Sequence, residues 1–189
     1  MEIIVATSNK HKLREIRHIL KGFRISGLKL KVLENGKTFE ENALKKAKAA
    51  FRKTKQLSMA DDSGLMVDAL NGRPGIKSAR YANPPTTKNL CAKLLKEIRY
   101  SIIDNRKAKF ICAIAIVFPN GETKVVKGII KGKIAHKMRG SHGFGYDPVF
   151  IPRGFKKTFA EMPLSQKNKL SHRYQALIKA KKVLKTLKT

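Results

Sequence analysis

Met59-Ala60-Asp61-Asp62-Ser63-Gly64-Leu65-Met66-Val67 is the stretch on which the reading of this chain turns. An apolar run ends on two adjacent carboxylates, and a second apolar run begins after a serine and a glycine. Two neighbouring acids at a strand end repel when both are charged, and a bound cation relieves that repulsion. Asp, Ser and Gly are also turn formers, so the segment alone admits either a turn or a cation site. The pattern predicts a strand over residues 57–60 leading into the acids, and another over 65–70 that Asn71-Gly72 closes.

Upstream, Ile3-Ile4-Val5-Ala6 reads as a short buried strand, and Thr7-Ser8-Asn9-Lys10-His11-Lys12 as a polar loop. Leu13, Ile16, Ile19 and Leu20 then recur at helical spacing until Gly22. A strand, a loop of small polar residues and a helix start offer an anion backbone N–H groups and the positive end of a helix dipole. Lys10 and Lys12 add charge there; an ordinary N-cap with surface lysines explains the same residues. Leu28, Leu30 and Val32 alternate as a half-buried strand, which Glu34-Asn35-Gly36 closes with a turn. Gly36-Lys37-Thr38 is not a P-loop, because Lys31 stands where that motif needs a glycine. Thr38 and Glu41 predict a capping box. The helix it opens carries Leu44, Ala47 and Phe51 on one face, and Asn42 and Lys46 on a second, solvated face from which Lys46 could reach a phosphate.

Downstream, Arg73-Pro74-Gly75 is a rigid turn, and the loop through Asn83-Pro84-Pro85-Thr86-Thr87 caps a helix bearing Leu90, Leu94, Leu95 and Ile98. Residues 110–118 are too continuously apolar for a one-sided sheet and predict a central strand. Pro119-Asn120-Gly121-Glu122 turns it into a hairpin partner over 123–130, and Gly128 and Gly132 suggest a bulge or bend before Lys133-Ile134. In Arg139-Gly140-Ser141-His142-Gly143-Phe144-Gly145-Tyr146-Asp147-Pro148, glycines alternate with aromatics. Open ring faces would suit base stacking; aromatic anchoring of a flexible loop is the other reading. Lys167-Asn168-Lys169-Leu170-Ser171-His172-Arg173 opens a C-terminal helix with Ser171 as N-cap, and Ala176, Leu177, Ala180, Val183, Leu184 and Leu187 form its apolar stripe. His172 and Arg173 would sit where the helix dipole disfavours positive charge, which points towards a ligand.

The 189 residues are 42% hydrophobic and 29% charged, the balance of one globular domain with a real core. The absence of an apolar run of about 18 residues predicts no membrane span. Met1 to Thr7 lacks the basic flank and apolar core of a signal peptide. Cys91 and Cys112 match no metal spacing and read as free thiols of a cytoplasmic protein. The net charge of +29 invites a nucleic-acid reading. The lysines spread along the whole chain, however, as on a solvated surface.

Six segments together resemble the inosine triphosphate pyrophosphatase family. They are Ala6 to Lys12, Thr38-Phe39-Glu40-Glu41-Asn42-Ala43, Ala60-Asp61-Asp62-Ser63-Gly64-Leu65, Gly72 to Tyr81, Gly143-Phe144-Gly145-Tyr146-Asp147-Pro148-Val149-Phe150 and Ser171-His172-Arg173. They run in the family's order across essentially the whole chain. The resemblance implies an α/β fold, an elongated mixed β-sheet flanked by helices, with two lobes around a central substrate cleft, and a single domain over 1–189, usually homodimeric. It implies Mg²⁺-dependent hydrolysis of the purine nucleoside triphosphates ITP, dITP and XTP to a monophosphate and pyrophosphate. By family position Thr7, Ser8, Asn9, Lys10, His11 and Lys12 cradle the triphosphate, with Lys46 beside them. Glu34 and Asp62 hold the metal, Asp62 accepts the proton of the attacking water, and Ser63 contacts substrate. Phe144, Gly145, Tyr146, Asp147, Lys167, His172 and Arg173 hold the nucleoside. Asn35 and Tyr174 depart from the residues common in the family, Thr and Gly. Asp61 is expected to support the site from the opposite strand face, because adjacent strand residues point apart.

Two other functions compete. A basic nucleic-acid binder would account for the charge, although Glu34, Asp61 and Asp62 would repel a phosphate backbone unless a metal intervened. A pyrophosphatase for modified pyrimidine nucleotides would share the acidic motif.

Overall fold

The computed structural model describes residues 2–101 and 105–186; Met1 and Leu187, named above, lie outside them. Strand β1 (Glu2–Ala6) leads to helix α1 (Lys10–Ile19) and strand β2 (Arg24–Leu28). Helix α2 (Phe39–Thr54) and strand β3 (Ser58–Val67) follow, then helix α3 (Thr87–Arg99) and the strands β4 (Lys107–Val117), β5 (Thr123–Ile134) and β6 (Phe150–Pro152). Helices α4 (Leu164–Leu170) and α5 (His172–Lys185) end the fold. The sheet order is β2-β1-β3-β4-β5-β6. It is mixed: β1 runs parallel to β2 and β3, whereas β5 and β6 are antiparallel. The apolar strand predicted over 110–118 is internal, as its hydrophobic run requires.

Four expectations need correction. The acidic stretch is not a turn between two strands: Asp61 to Gly64 lie inside the ten-residue β3. Burial and sheet pairing override the local turn preference there. Residues 68–70 form a 3₁₀ turn, not more strand, and Asn71 and Gly72 close it with φ of 52° and 82°. The second strand ends at Leu28, because its register on β1 pairs Leu28 with Ala6, the last residue β1 offers. Leu30 and Val32 therefore lie beyond the ladder. Gly128 and Gly132 do not bend β5, which is continuous. They allow close approach: a Cβ at Gly128 would lie 2.0 Å from His172 O, and one at Gly132 would lie 2.2 Å from Ile151 O.

The caps follow the sequence more closely. Thr38 Oγ1 accepts from Glu41 N at 3.1 Å, but the Glu41 carboxylate takes the N–H of Lys37, one residue before the cap. Extended backbone at Ser171 splits the C-terminal helix into α4 and α5.

The chain divides into two compact units. Residues 1–62, 112–128 and 172–189 form the first; residues 63–111 and 129–171 form the second. Ile3, Ile16, Leu20, Met59, Ile114 and Leu177 belong to the first unit's core. The second unit's core includes Leu65, Leu94, Phe110, Phe150, Phe159 and Met162. The Phe110 and Phe150 rings meet edge-on there, with centroids 4.7 Å apart.

Candidate active site

In the first unit, β3 presents Asp61 and Asp62 in succession, so their carboxylates leave opposite faces of the strand. Asp61 Oδ2 lies 3.0 Å from Lys12 Nζ of α1 and 3.4 Å from Arg173 Nε of α5. Arg173 also donates through Nη1 to Glu15 Oε2 at 2.5 Å. Asp62 takes a different partner: Lys46 Nζ of α2 stands 3.5 Å from Asp62 Oδ1 and 3.1 Å from Glu34 Oε1. All of Asp61, Asp62, Glu15 and Arg173 are buried.

These environments drive the two aspartates apart. Burial alone would raise the pKa of Asp61, but Lys12, Arg173 and Lys46 together hold it far below the usual carboxylate range. For Asp62 burial prevails: its pKa is raised although Lys46 and Lys12 oppose the shift, and the charges of Glu34 and Asp61 add to it. Burial opposes the charge on Lys46, yet Asp62, Asp61 and Glu34 outweigh it and raise its pKa. One aspartate is thus a fixed anion and its neighbour a carboxyl inclined to take a proton.

The same geometry tests whether Mg²⁺ suits the site. Among the described residues no cage of three or more His, Cys, Asp or Glu exists. Mg²⁺ does not need one, since it is held by one or two carboxylates together with substrate phosphates and water. Glu34 and Asp62 converge on one ammonium, an arrangement of hard oxygen donors around positive charge. The residues present therefore fit the ion.

The Thr7 to Lys12 loop is ordered by its own side chains. Thr7 Oγ1 accepts from Asn9 N at 3.2 Å, and Asn9 Oδ1 caps α1 by accepting from His11 N at 2.9 Å and Lys12 N at 3.1 Å. Two of the backbone donors expected for an anion are thus held by Asn9. Ser8, Lys10 and His11 are exposed. Asn42 is not on a solvated face: it is fully buried, and its Oδ1 accepts from Gly36 N at 2.8 Å, tying the Glu34 turn to α2.

In the second unit, the glycine-aromatic loop folds around Asp147. Its Oδ2 accepts from Lys167 Nζ at 2.7 Å and from Phe144 N at 2.8 Å. Lys167 Nζ also lies 5.0 Å from the centre of the Phe144 ring. Gly145 has a φ of 62°; its N–H donates to Thr87 Oγ1 at 3.1 Å and its carbonyl accepts from the Cys91 thiol. Tyr146 is not an open stacking face. It is buried, and its hydroxyl donates to Ser78 O at 2.9 Å. Only Phe144 keeps part of its ring accessible. Ser63 is half-buried on β3, the first residue of this unit. His172, buried, opens α5 in the first unit beside Arg173.

Glu15 and Thr87 were not anticipated as site residues. Glu15 carried a signal, since it lies four residues before Ile19 on the apolar face of α1, where an acid needs a buried cation. Thr87 carried none.

The Ham1 family model matches residues 3–183. A dITP/XTP pyrophosphatase of Oceanobacillus iheyensis is 43% identical over 195 residues, covering 98% of this chain and 99% of the relative. One of Bacillus subtilis is 43% identical, covering 97% and 96%. Among solved structures, the Staphylococcus aureus Ham1 protein superposes with a TM-score of 0.89 at 38% identity, covering 98% of this chain and 99% of that one. A nucleoside-triphosphatase, dITP/XTP pyrophosphatase, from Mycobacterium abscessus does so with 0.77 at 40% identity, covering 95% and 98%.

Proposed function

We infer, for a chain that belongs to the Ham1 family, that it is a dITP/XTP pyrophosphatase, a nucleoside-triphosphate diphosphatase that removes non-standard purine nucleotides. We propose that it acts on ITP as well, and that residues 1–189 work as one catalytic domain. The observation that carries the chemistry is the split pairing of two adjacent buried acids, Asp61 with Lys12 and Arg173 and Asp62 with Lys46. Neighbouring acids with diverging proton affinities are the usual mark of a divided acid-base task.

Asp62 is the proton acceptor for the attacking water, and burial raises its proton affinity above that of an ordinary carboxylate. Lys46, kept protonated by three carboxylates, places a positive charge beside Asp62 and serves the substrate phosphates. Lys12 and Arg173 fix Asp61 as an anion. Thr7, Ser8, Asn9, Lys10, His11 and Lys12 hold the triphosphate, with Ser63 at the reacting end. Glu34 and Asp62 hold Mg²⁺, which when bound lowers the pKa of a water and neutralises the leaving pyrophosphate.

The nucleoside is taken by Phe144, Gly145, Tyr146, Asp147, Lys167, His172 and Arg173. Phe144 offers the stacking ring; Tyr146, Asp147 and Lys167 hold its loop in shape. His172 and Arg173 recognise the 6-oxo group, an acceptor where adenine carries a donor amine. Sites that pair a buried donor with substrate oxygen discriminate by about 10⁴ or more. The working form is a homodimer in the cytoplasm; no helix among the described residues is long and apolar enough to cross a membrane.

The test is pyrophosphate release from dITP, XTP and ITP against dATP and dGTP, with Mg²⁺ and with EDTA. Mg²⁺-dependent release from the first three, lost in Asp62→Asn, is expected. Full turnover by Asp62→Asn would remove the assigned base.

A further inference from the structure

The second unit carries a basic cleft lined by none of the residues assigned above to substrate or metal. It has a volume of about 780 Å³ and is lined by Lys107, Lys109, Lys131, Lys133 and Arg153, with Asp68 its sole acid and Phe155 its aromatic. We propose that this cleft binds the phosphate backbone of a single-stranded nucleic acid without regard to sequence.

The register of the sheet makes the array. The bond from Phe118 N to Glu122 O at the hairpin and that from Ile134 N to Arg106 O at the far end belong to one antiparallel register. That register sets Lys107 opposite Lys133 and Lys109 opposite Lys131. On the other side of β5, Lys133 faces Ile151, and Arg153 N donates to Lys131 O. Four lysines therefore share one face of two adjacent strands, with Arg153 beside Lys131 in the turn that follows β6. Along each strand they recur about 6.8 Å apart, since alternate residues share a face. Alternating with them on β4, Ala108 and Phe110 are buried.

Like charges directly opposite each other destabilise a sheet. Here the juxtaposition occurs twice, with a third cation beside it. None of the five makes an ion pair with a described residue. Fold stability gives no reason for the arrangement; a polyanion laid across it does. A mononucleotide is too small to engage five cations spread over two strands and the turn after β6, and a concave cleft does not suit a membrane surface. A cationic groove with an aromatic wall is the form taken by sites that track a single strand.

The probe is a fluorescent 15-mer of oligodeoxythymidine, followed by anisotropy against salt. Two variants of the full chain separate the cleft from the general charge. The first replaces Lys107, Lys109, Lys131 and Lys133 by Gln; the second replaces the exposed helix residues Lys48, Lys53, Lys182 and Lys185 by Gln. Each loses four charges, and pyrophosphate release with the melting temperature verifies that each still folds. The cleft variant is expected to bind at least tenfold more weakly, with a salt slope shallower by about 3, because each single-strand phosphate contact contributes about 0.7. The helix variant is expected to retain most of the affinity and slope. Equal loss in both variants would show binding to the diffuse charge and overturn the assignment. So would no binding by the parent at low salt, or tighter binding to a duplex of equal length.

Discussion

Arg173 Nη1 donates to Glu15 Oε2 at 2.5 Å, a buried ion pair between residues 158 positions apart. It clamps the first turn of α5 to α1. Glu15→Gln leaves the guanidinium with Asp61 as its remaining charge partner among these contacts. Breaking a buried pair from one side costs about 3 to 5 kcal/mol, so the urea midpoint of Glu15→Gln should fall well below the parent's. Adding Arg173→Met should recover much of the loss, because the uncompensated charge goes with it. A parent-like midpoint in Glu15→Gln would show that the pair carries little net stability.

The neighbouring aspartates should separate function from stability. Asp62→Asn removes the proposed base while leaving Lys46 paired to Glu34 at 3.1 Å. Its kcat should fall by about 10²-fold to 10⁴-fold, the range for a lost general base, and its melting temperature should hold or rise. Asp61→Asn takes the anion from Lys12 and Arg173, and should lower the melting temperature clearly. Thermal melts and single-turnover rates on both variants decide the matter. Equal instability with equal activity loss would show that the two carboxyls form one structural unit.

Their pH dependence has opposite signs. Asp61 has a folded-state pKa below its unfolded value. Its contribution is present above the unfolded value of about 3.9 and is lost as pH falls towards the folded one. Asp62 has a raised folded-state pKa, so its contribution is favourable in acid and disappears as pH rises through that value. Below about pH 4 the parent should lose stability faster than Asp61→Asn, measured as unfolding free energy against pH. Parallel curves for the two proteins would contradict the depressed pKa.

What could be read in advance follows from range. The Thr38 cap, the central apolar strand and the Asn71-Gly72 turn depend on residues near each other in sequence. The continuity of β3 does not: Asp61 to Gly64 look like a turn until sheet pairing and burial on both faces are known. The Glu15–Arg173 clamp and the burial of Asn42 likewise need tertiary contacts. The partners of Asp61 and Asp62 come from α1, α2 and α5. No local pattern states which lysine faces which acid.

Gly128 is a second case in which tertiary approach explains a residue. A Cβ there would meet His172 O at 2.0 Å and Ala176 N at 2.5 Å, both backbone atoms that cannot swing aside. Gly128→Ala should destabilise by about 3 kcal/mol through overpacking. Displacing the start of α5 should also raise KM for XTP, because His172 opens that helix. A melt and a substrate titration test it; a parent-like melt would mean that α5 shifts away at little cost.

Lys167 offers the clearest probe of the glycine-aromatic loop. Its ammonium and the Phe144 N–H both bind Asp147 Oδ2, at 2.7 and 2.8 Å, and both charged side chains are buried. In Lys167→Met the carboxylate loses its cation in a poorly solvated place. A destabilisation of about 3 kcal/mol is expected for a buried charge deprived of its partner. The Phe144 amide should exchange with solvent faster, since its acceptor is no longer anchored. XTP should then show a KM rise larger than any fall in kcat, because the loop is proposed to hold the nucleoside and not the reacting phosphates. If the amide exchanged at the parent rate while KM rose, Lys167 would be acting on the substrate directly and not through the loop.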